Sequence, residues 1–286
     1  MSRRTRFGLS VALATPFDAT GRVDVTKMVA HARHCLASGC DGVTLFGTTG
    51  EGASIGRDER AAILAAMIDG GIAPDRIVGA VAETSVVGAA EAARIVLDAG
   101  CRNVMLLPPF YFKRPSFDGV RAWFDAVFET LGAAARDVIL YHIPSVTEVP
   151  LTLELIVRLA GDFPEVVRAV KDSSCDWGFT EQLLAARGDL EILVGDERDL
   201  GRAVRAGGAG AISGLANVCP ARVRALAVDG RDDPAVSDMV DEILRHPVTP
   251  AVKALLAHVG DDPAWAHTRP PLVPTPPATA TALATL

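Results

Sequence analysis

The 286-residue sequence lacks several features that would mark other classes of protein. Its five cysteines are scattered without a CxxC pair, which argues against a disulfide framework and against a cysteine-ligated zinc site. The formal net charge of -7 gives a nucleic-acid partner no electrostatic support. No apolar stretch approaches the roughly 20 residues that a membrane-spanning helix needs. Because unpaired thiols persist in a reducing compartment, we expect a cytoplasmic protein without membrane contact.

The N-terminus contains a pattern that resembles a twin-arginine signal. Arg3 and Arg4 precede an apolar run at 8–14, but this run has only seven residues, and Pro16 and Asp18 end it at once. We therefore interpret the run as the first strand of the fold.

Short β-branched runs alternate with alanine-rich helical patterns, and most of the runs are apolar throughout, which is typical of buried parallel strands. Eight strands with intervening helices predict an α/β fold, a (β/α)8 TIM barrel. An open doubly wound sheet is the alternative, but it requires a glycine-rich phosphate loop where this chain has Ala14-Thr15-Pro16-Phe17. The predicted strands are residues 8–13, 42–46, 77–80, 103–107, 138–142, 166–171, 191–194 and 210–213.

The remainder of the chain is predicted to be helical and then irregular. The barrel should span 1–218, and helical patterns beginning near residues 220, 234 and 250 predict appended C-terminal helices within 219–269 of the same domain. The tail at 270–286 carries five of the 18 prolines, so we expect it to lie on the surface or to be partly disordered.

Two residues at the carboxyl ends of neighbouring predicted strands could carry chemistry, since active sites of such barrels lie at that end. Lys171 ends strand 6, and Tyr141 precedes it by 30 residues, one βα unit earlier. A neutral lysine amine attacks ketones to give an iminium, and a neighbouring phenol can relay protons. The alternatives are an exposed strand-end lysine and a core tyrosine. His142 should face the opposite side of its strand and serve in packing.

Two further strand ends offer polar groups. The loop that starts at Gly47 presents the hydroxyls of Thr48 and Thr49 with flexible backbone amides, which suit a carboxylate better than a phosphate chain because no P-loop lysine follows. A glycine-rich turn required only for its geometry is the alternative. Glu197, after strand 7, either contacts substrate hydroxyls or is an exposed glutamate at the start of a helix.

Taken together, these residues resemble the dihydrodipicolinate synthase / N-acetylneuraminate lyase family over residues 7–228. The resemblance implies a barrel with C-terminal helices, assembled as a homotetramer, and it implies no metal or organic cofactor. It also implies that Lys171 forms a Schiff base with pyruvate and that Tyr141 shuttles protons. The matching segments are 14–17, 47–51, 108–111, 141–145, 170–173 and 207–214.

The resemblance implies roles for five more residues. Thr48 and Thr49 match the substrate-carboxylate and proton-relay positions. Tyr111 matches a tyrosine that, in the synthase branch, reaches the neighbouring subunit's site. Gly195 and Ile212 match positions that line the pocket.

One departure from the synthase branch affects the expected substrate. Val146 stands where an arginine would bind the second substrate's carboxylate, and loss of such a charge-assisted contact costs about 1.5–3 kcal/mol. We therefore expect a 2-oxo-acid aldolase or lyase that handles pyruvate and an aldehyde, with a 2-keto-3-deoxy sugar acid as substrate and Glu197 near its hydroxyls. The alternatives are 4-hydroxy-tetrahydrodipicolinate synthase itself and a catalytically silent barrel that binds 2-oxo acids.

Overall fold

The fold is a closed barrel of eight parallel strands, in which each strand pairs with the next along the chain and the eighth pairs with the first. The computed structural model describes residues 6–285, so Arg3 and Arg4 lie outside the described part. The closed barrel confirms the predicted (β/α)8 fold, including the interpretation of the first apolar run as a strand. The strands are β1 Gly8–Ala12, β2 Gly42–Leu45, β3 Ile77–Val81, β4 Asn103–Leu106, β5 Val138–His142, β6 Val167–Asp172, β7 Glu191–Val194 and β8 Gly210–Ser213.

Helices surround the barrel and follow its last strand. Two of them, α5 and α12, were not predicted, because a single turn and a short proline-led helix give too little periodicity to detect. Within residues 6–285, no helix combines the length and apolar character needed to cross a membrane. The helices are α1 Val25–Ala37, α2 Arg57–Asp69, α3 Val86–Asp98, α4 Phe117–Leu131, α5 Pro144–Thr147, α6 Leu153–Asp162, α7 Trp177–Ala186, α8 Leu200–Arg205, α9 Pro220–Ala227, α10 Pro234–Ile243, α11 Val248–Val259 and α12 Pro277–Leu283.

The register between β5 and β6 determines which side chains face the barrel mouth. Val138 pairs with Val167, but a register shift follows, and beyond it Tyr141 pairs with Lys171. Without that one extra residue in β6, Tyr141 would pair with Val170, and Lys171 would face the opposite side of the sheet. The irregularity therefore brings the lysine and the tyrosine together inside the barrel.

The next pair in this register, His142 and Asp172, faces outward, because side chains alternate between the two faces of a strand. His142 is buried on the helical side, where its Nδ1 accepts a hydrogen bond from the Leu151 amide at 3.0 Å and its ring lies 4.6 Å from that of Phe179. Burial lowers the pKa of His142, although nearby Asp172 opposes this effect. The structure thus confirms the expected packing role of this histidine.

The C-terminal region lies against the barrel rather than apart from it. Helix α9 packs on β1 and β8, and α12 packs against α10 and α11. Most of the tail after residue 270 is exposed or half-buried, but Leu283 of α12 is buried among the core residues. One short helix, whose leucine packs into the core, thus forms within a segment whose composition predicted little structure.

Candidate active site

A cavity of about 170 Å³ opens at the carboxyl end of the barrel strands. Strand ends and loops supply its floor, and the α10–α11 region supplies part of its wall. It brings together eight of the ten residues predicted for the site, and Gly47 and Tyr111 are the two that do not line it. The predicted residues on the cavity are Thr48, Thr49, Tyr141, Val146, Lys171, Gly195, Glu197 and Ile212.

Lys171 and Tyr141 form the centre of the site. The Lys171 Nζ lies 3.1 Å from the Tyr141 hydroxyl, to which it donates a hydrogen bond, and 4.3 Å from the centre of the phenol ring. Both side chains are buried, at 5% and 2% exposure, yet both line the cavity. An amine and a phenol in contact at the edge of a small cavity can attack a carbonyl and relay the protons that this attack requires.

The loop after β2 is held in a conformation that few residues adopt. Phe46 and Glu51 both have positive φ values, 61° and 53°. A side chain on Gly52 would overlap the Phe46 carbonyl, so only glycine permits this close approach. The resulting turn places the buried Thr49 and the exposed Thr48 beside the cavity. Such backbone strain persists only where surrounding contacts enforce it.

Those contacts come from a buried ion pair that the sequence did not indicate. Glu51 Oε1 lies 2.6 Å from Lys253 Nζ, and both side chains have 0% exposure. Lys253 also donates to the Thr15 carbonyl at 2.9 Å, while Glu51 Oε2 accepts from the Arg269 amide at 2.9 Å. This cluster of Glu51, Lys253, Thr15 and Arg269, which we call the anchor cluster, ties the Thr48–Thr49 loop to the C-terminal region. Burial lowers the pKa of Lys253, and Glu51 opposes that shift.

Glu197 is buried at the cavity rather than exposed at a helix start. Its Oε1 accepts hydrogen bonds from Ser213 Oγ at 2.5 Å and from the Leu215 amide at 3.2 Å. Burial raises the pKa of Glu197, and those two hydrogen bonds offset only part of the effect. Oε1 of Glu197 is therefore occupied by hydrogen bonds within the protein, which leaves Oε2 for a hydrogen bond with a substrate.

Glycine is required at position 195 because Ser173 approaches its backbone closely. A side chain at this position would overlap the Ser173 hydroxyl, which also lines the cavity. Glycine at the end of β7 thus leaves room beside the end of β6, where Lys171 stands.

Tyr111 lies apart from the cavity within a single chain. Its side chain is 73% exposed on the loop between β4 and α4, and its ring stacks edge-on with that of Phe112, which is 75% exposed. The placement leaves its role in a neighbouring subunit's site a prediction. Gly47 lies one residue before the cavity-lining threonines and contributes backbone only.

Within the part of the chain that the structure describes, the site has no cluster of side chains that suits a metal ion. Across residues 6–285, no group of three or more histidine, cysteine, aspartate or glutamate side chains is placed to hold one. The cysteine at the cavity, Cys175, is partly exposed, and partial desolvation together with the charge of Asp196 raises the pKa of its thiol to about 12.

The closed barrel, with a buried lysine on the cavity at its carboxyl end, defines the class of the protein as a TIM barrel. Comparison with known proteins then places it more narrowly, since the dihydrodipicolinate synthetase family model matches residues 6–285. The chain belongs to this family, and it is a lyase.

Individual relatives cover nearly the whole chain. An uncharacterized DapA-like lyase from Chloroflexus aurantiacus is 35% identical over 93% of this chain and 91% of its own length. A 4-hydroxy-tetrahydrodipicolinate synthase from Parasynechococcus marenigrum is 30% identical over 95% of this chain and 91% of its own. The crystal structure of dihydrodipicolinate synthase from Agrobacterium tumefaciens superimposes with a TM-score of 0.96, at 54% identity and 98% coverage of both chains.

Proposed function

We propose that this lyase is a class I, Schiff-base-forming aldolase, which makes or breaks a carbon–carbon bond next to a 2-oxo acid bound covalently to Lys171. The observation that carries the proposal is the buried Lys171 amine, in contact with the Tyr141 hydroxyl at 3.1 Å and open to a cavity of small-molecule size. Apart from Lys171, no lysine or arginine among residues 6–285 lines that cavity, so the amine has no competing nucleophile of its kind there.

The reaction follows from this pair of groups. The neutral amine of Lys171 adds to the C2 carbonyl of the 2-oxo acid, and loss of water gives an iminium. In a 4-hydroxy-2-oxo acid, removal of the proton from the C4 hydroxyl breaks the C3–C4 bond and releases the aldehyde. The electron pair of the broken bond moves toward the iminium and forms an enamine. Protonation at C3 and addition of water then release pyruvate and restore the amine. Tyr141, which touches Nζ, is the group that carries protons between these steps.

The substrate's C1 carboxylate requires hydrogen-bond donors near Lys171, because C1 is bonded to the C2 carbon that this lysine attacks. Thr48 and Thr49 line the cavity, in a turn that the anchor cluster ties to the C-terminal region. We assign the carboxylate to the hydroxyls and amides of this turn, with Ile212 and Gly195 as the adjoining walls.

Reductive trapping tests the proposal. Incubation with pyruvate and borohydride should add one reduced pyruvyl group to the intact protein, and peptide mapping should place it on Lys171. The chain offers a clean readout, because its other lysines are only Lys27, Lys113 and Lys253. Lys171→Met should abolish the adduct. An unmodified protein, or an adduct on another lysine, would overturn the proposal.

Synthesis of 4-hydroxy-tetrahydrodipicolinate is the second candidate, and the names of the relatives favour it. It uses the same iminium but condenses pyruvate with aspartate semialdehyde, which carries a second carboxylate. Val146, 52% exposed at the cavity, offers that carboxylate no charge. Efficient condensation with the semialdehyde, at kcat/KM of about 10⁴ M⁻¹s⁻¹ or above, would decide for the synthase. An imine that forms with neither turnover nor proton exchange at pyruvate C3 would instead indicate a silent binding protein.

A further inference from the structure

We infer that the partner half of the substrate, beyond C3 of the 2-oxo acid, is an uncharged, apolar aldehyde with an aliphatic or aryl side chain. The inference rests on the proposed Schiff-base function and specifies the substrate class of that site. It comes from the outer wall of the cavity, which we call the apolar collar and define by Val146, Val240, Ile243, Leu244, Val248 and Val252.

The collar is assembled from two separate parts of the chain. Val146 comes from α5, directly after β5, while the other members come from α10, α11 and their junction. Val146, Leu244 and Val248 are 52%, 43% and 41% exposed, which is unusual for large apolar side chains that meet at one opening. Such a surface gains free energy when an apolar group covers it.

The collar is apolar in its deeper part as well as at the opening. Val240, Ile243 and Val252 are buried at 6%, 4% and 2% exposure beneath the exposed members, and all three still border the cavity. A substituent that reaches outward from Lys171 therefore meets apolar atoms along this wall.

The charges of the site argue against an anionic partner half. Among the described residues, Lys171 is the one basic side chain that lines the cavity, and the iminium uses it. Two acidic side chains face the cavity instead, Asp196 and Glu197. Asp196 is paired with Arg198 at 2.6 Å, and Glu197 is bonded to Ser213. A second carboxylate would therefore find no free cationic side chain on the cavity wall.

A polyhydroxylated chain is also poorly matched to the collar. Away from the Thr48–Thr49 end, the hydroxyl side chains on the cavity are Tyr141, which bonds to Lys171, and two serines, Ser145 and Ser173. Buried hydroxyls without partners carry a desolvation cost, and several sugar hydroxyls against the collar would incur it repeatedly.

A matched panel of 4-hydroxy-2-oxo acids tests the inference through pyruvate release. The panel holds the reacting carbons constant and varies only the substituent at C4: an aliphatic chain, a phenyl group, a polyhydroxylated chain of similar length, and a carboxymethyl group. We expect kcat/KM for the aliphatic or phenyl member to exceed that for the polyhydroxylated and anionic members by about tenfold or more, the usual worth of a shape-matched apolar contact. A preference for the polyhydroxylated or the anionic member would overturn the inference.

Isosteric variants locate the preference in the collar. Val146→Thr and Val248→Thr keep the shape of each side chain but replace one methyl group with a hydroxyl, and each should reduce the apolar preference several-fold. Val87→Thr is the matched control, because Val87 is 59% exposed on α3 and does not line the cavity. An unchanged preference in both collar variants would refute the assignment to these residues.

Borohydride trapping with pyruvate distinguishes a failure of the apolar-substrate inference from a failure of the proposed Schiff-base function. If Lys171 is trapped but the panel favours a hydroxylated or anionic member, the Schiff-base function stands and the apolar inference fails. If Lys171 is not trapped, the proposed function fails first, and the inference falls with it.

Discussion

Disruption of the buried ion pair in the anchor cluster should destabilise the fold far more than disruption of a half-buried pair with the same separation. Lys253 and Glu51 lie 2.6 Å apart at 0% exposure, and Lys27 and Asp262 also lie 2.6 Å apart but at 25% and 35% exposure. The two pairs differ in burial rather than in distance, so the chain supplies its own control.

The expected magnitudes follow from that difference. Lys253→Met fills nearly the same volume but leaves Glu51 as a buried charge whose remaining hydrogen bond comes from the Arg269 amide. Removal of one partner from a buried pair costs about 3–5 kcal/mol. Lys27→Met should cost less than about 1 kcal/mol, because solvent screens its partner. At about 2 °C per kcal/mol, the first variant should melt roughly 6–10 °C below wild type and the second within a few degrees.

A double-mutant cycle tests whether the interaction between Glu51 and Lys253 causes this loss of stability. Glu51→Gln combined with Lys253→Met removes both charges, so the double variant should be less destabilised than the sum of the singles, with a coupling of about 2 kcal/mol or more. The measurement is equilibrium urea unfolding, checked for reversibility. Equal costs for Lys253→Met and Lys27→Met, or strictly additive singles, would refute the view that burial makes this pair important.

The other expectations concern catalysis, pH and assembly. Tyr141→Phe should still be trapped on Lys171 by borohydride, yet lose about 10²–10⁴-fold in turnover; loss of trapping would instead indicate a binding role. Because burial raises the pKa of Glu197 in the folded state, the stability it provides is full at low pH and declines as pH rises from about 4.5 through the folded pKa. Glu197→Gln should therefore gain in melting temperature relative to wild type at pH 8 but not at pH 4, and an equal effect at both would contradict this. Light scattering at micromolar concentration should show a homotetramer, with the exposed Tyr111 and Phe112 as a subunit contact, whereas a monomer would remove the proposed role of Tyr111 across subunits.

Much of the fold and part of the site could be predicted from local patterns. The β5, β7 and β8 bounds agree with the predicted ranges, and Lys171 and Tyr141 were found from their positions at the ends of successive strands. Such signals are local, because strand burial and the βα repeat leave their pattern within a few residues of each other. Spacing alone left the chemistry of Lys171 open, since an exposed strand-end lysine gives the same pattern.

Contacts between distant segments could not be predicted in this way. Lys253 and Glu51 are 202 residues apart, and nothing near either residue marks its partner. The apolar collar likewise joins α5 to the α10–α11 junction, and each part separately resembles an ordinary amphipathic surface.

The sequence by itself determined the number of strands, their order and the residues at their carboxyl ends, because hydrophobic periodicity and turn residues act over short range. Only the tertiary structure decided which side chains at those ends touch one another. Closure of the barrel and the extra residue in β6 place Lys171 against Tyr141. Packing of the C-terminal helices across the mouth buries Lys253 against Glu51 and lines the opening with valine and leucine. Burial and pairing are properties of the assembled chain, so the charge and polarity that a substrate meets are fixed at that level.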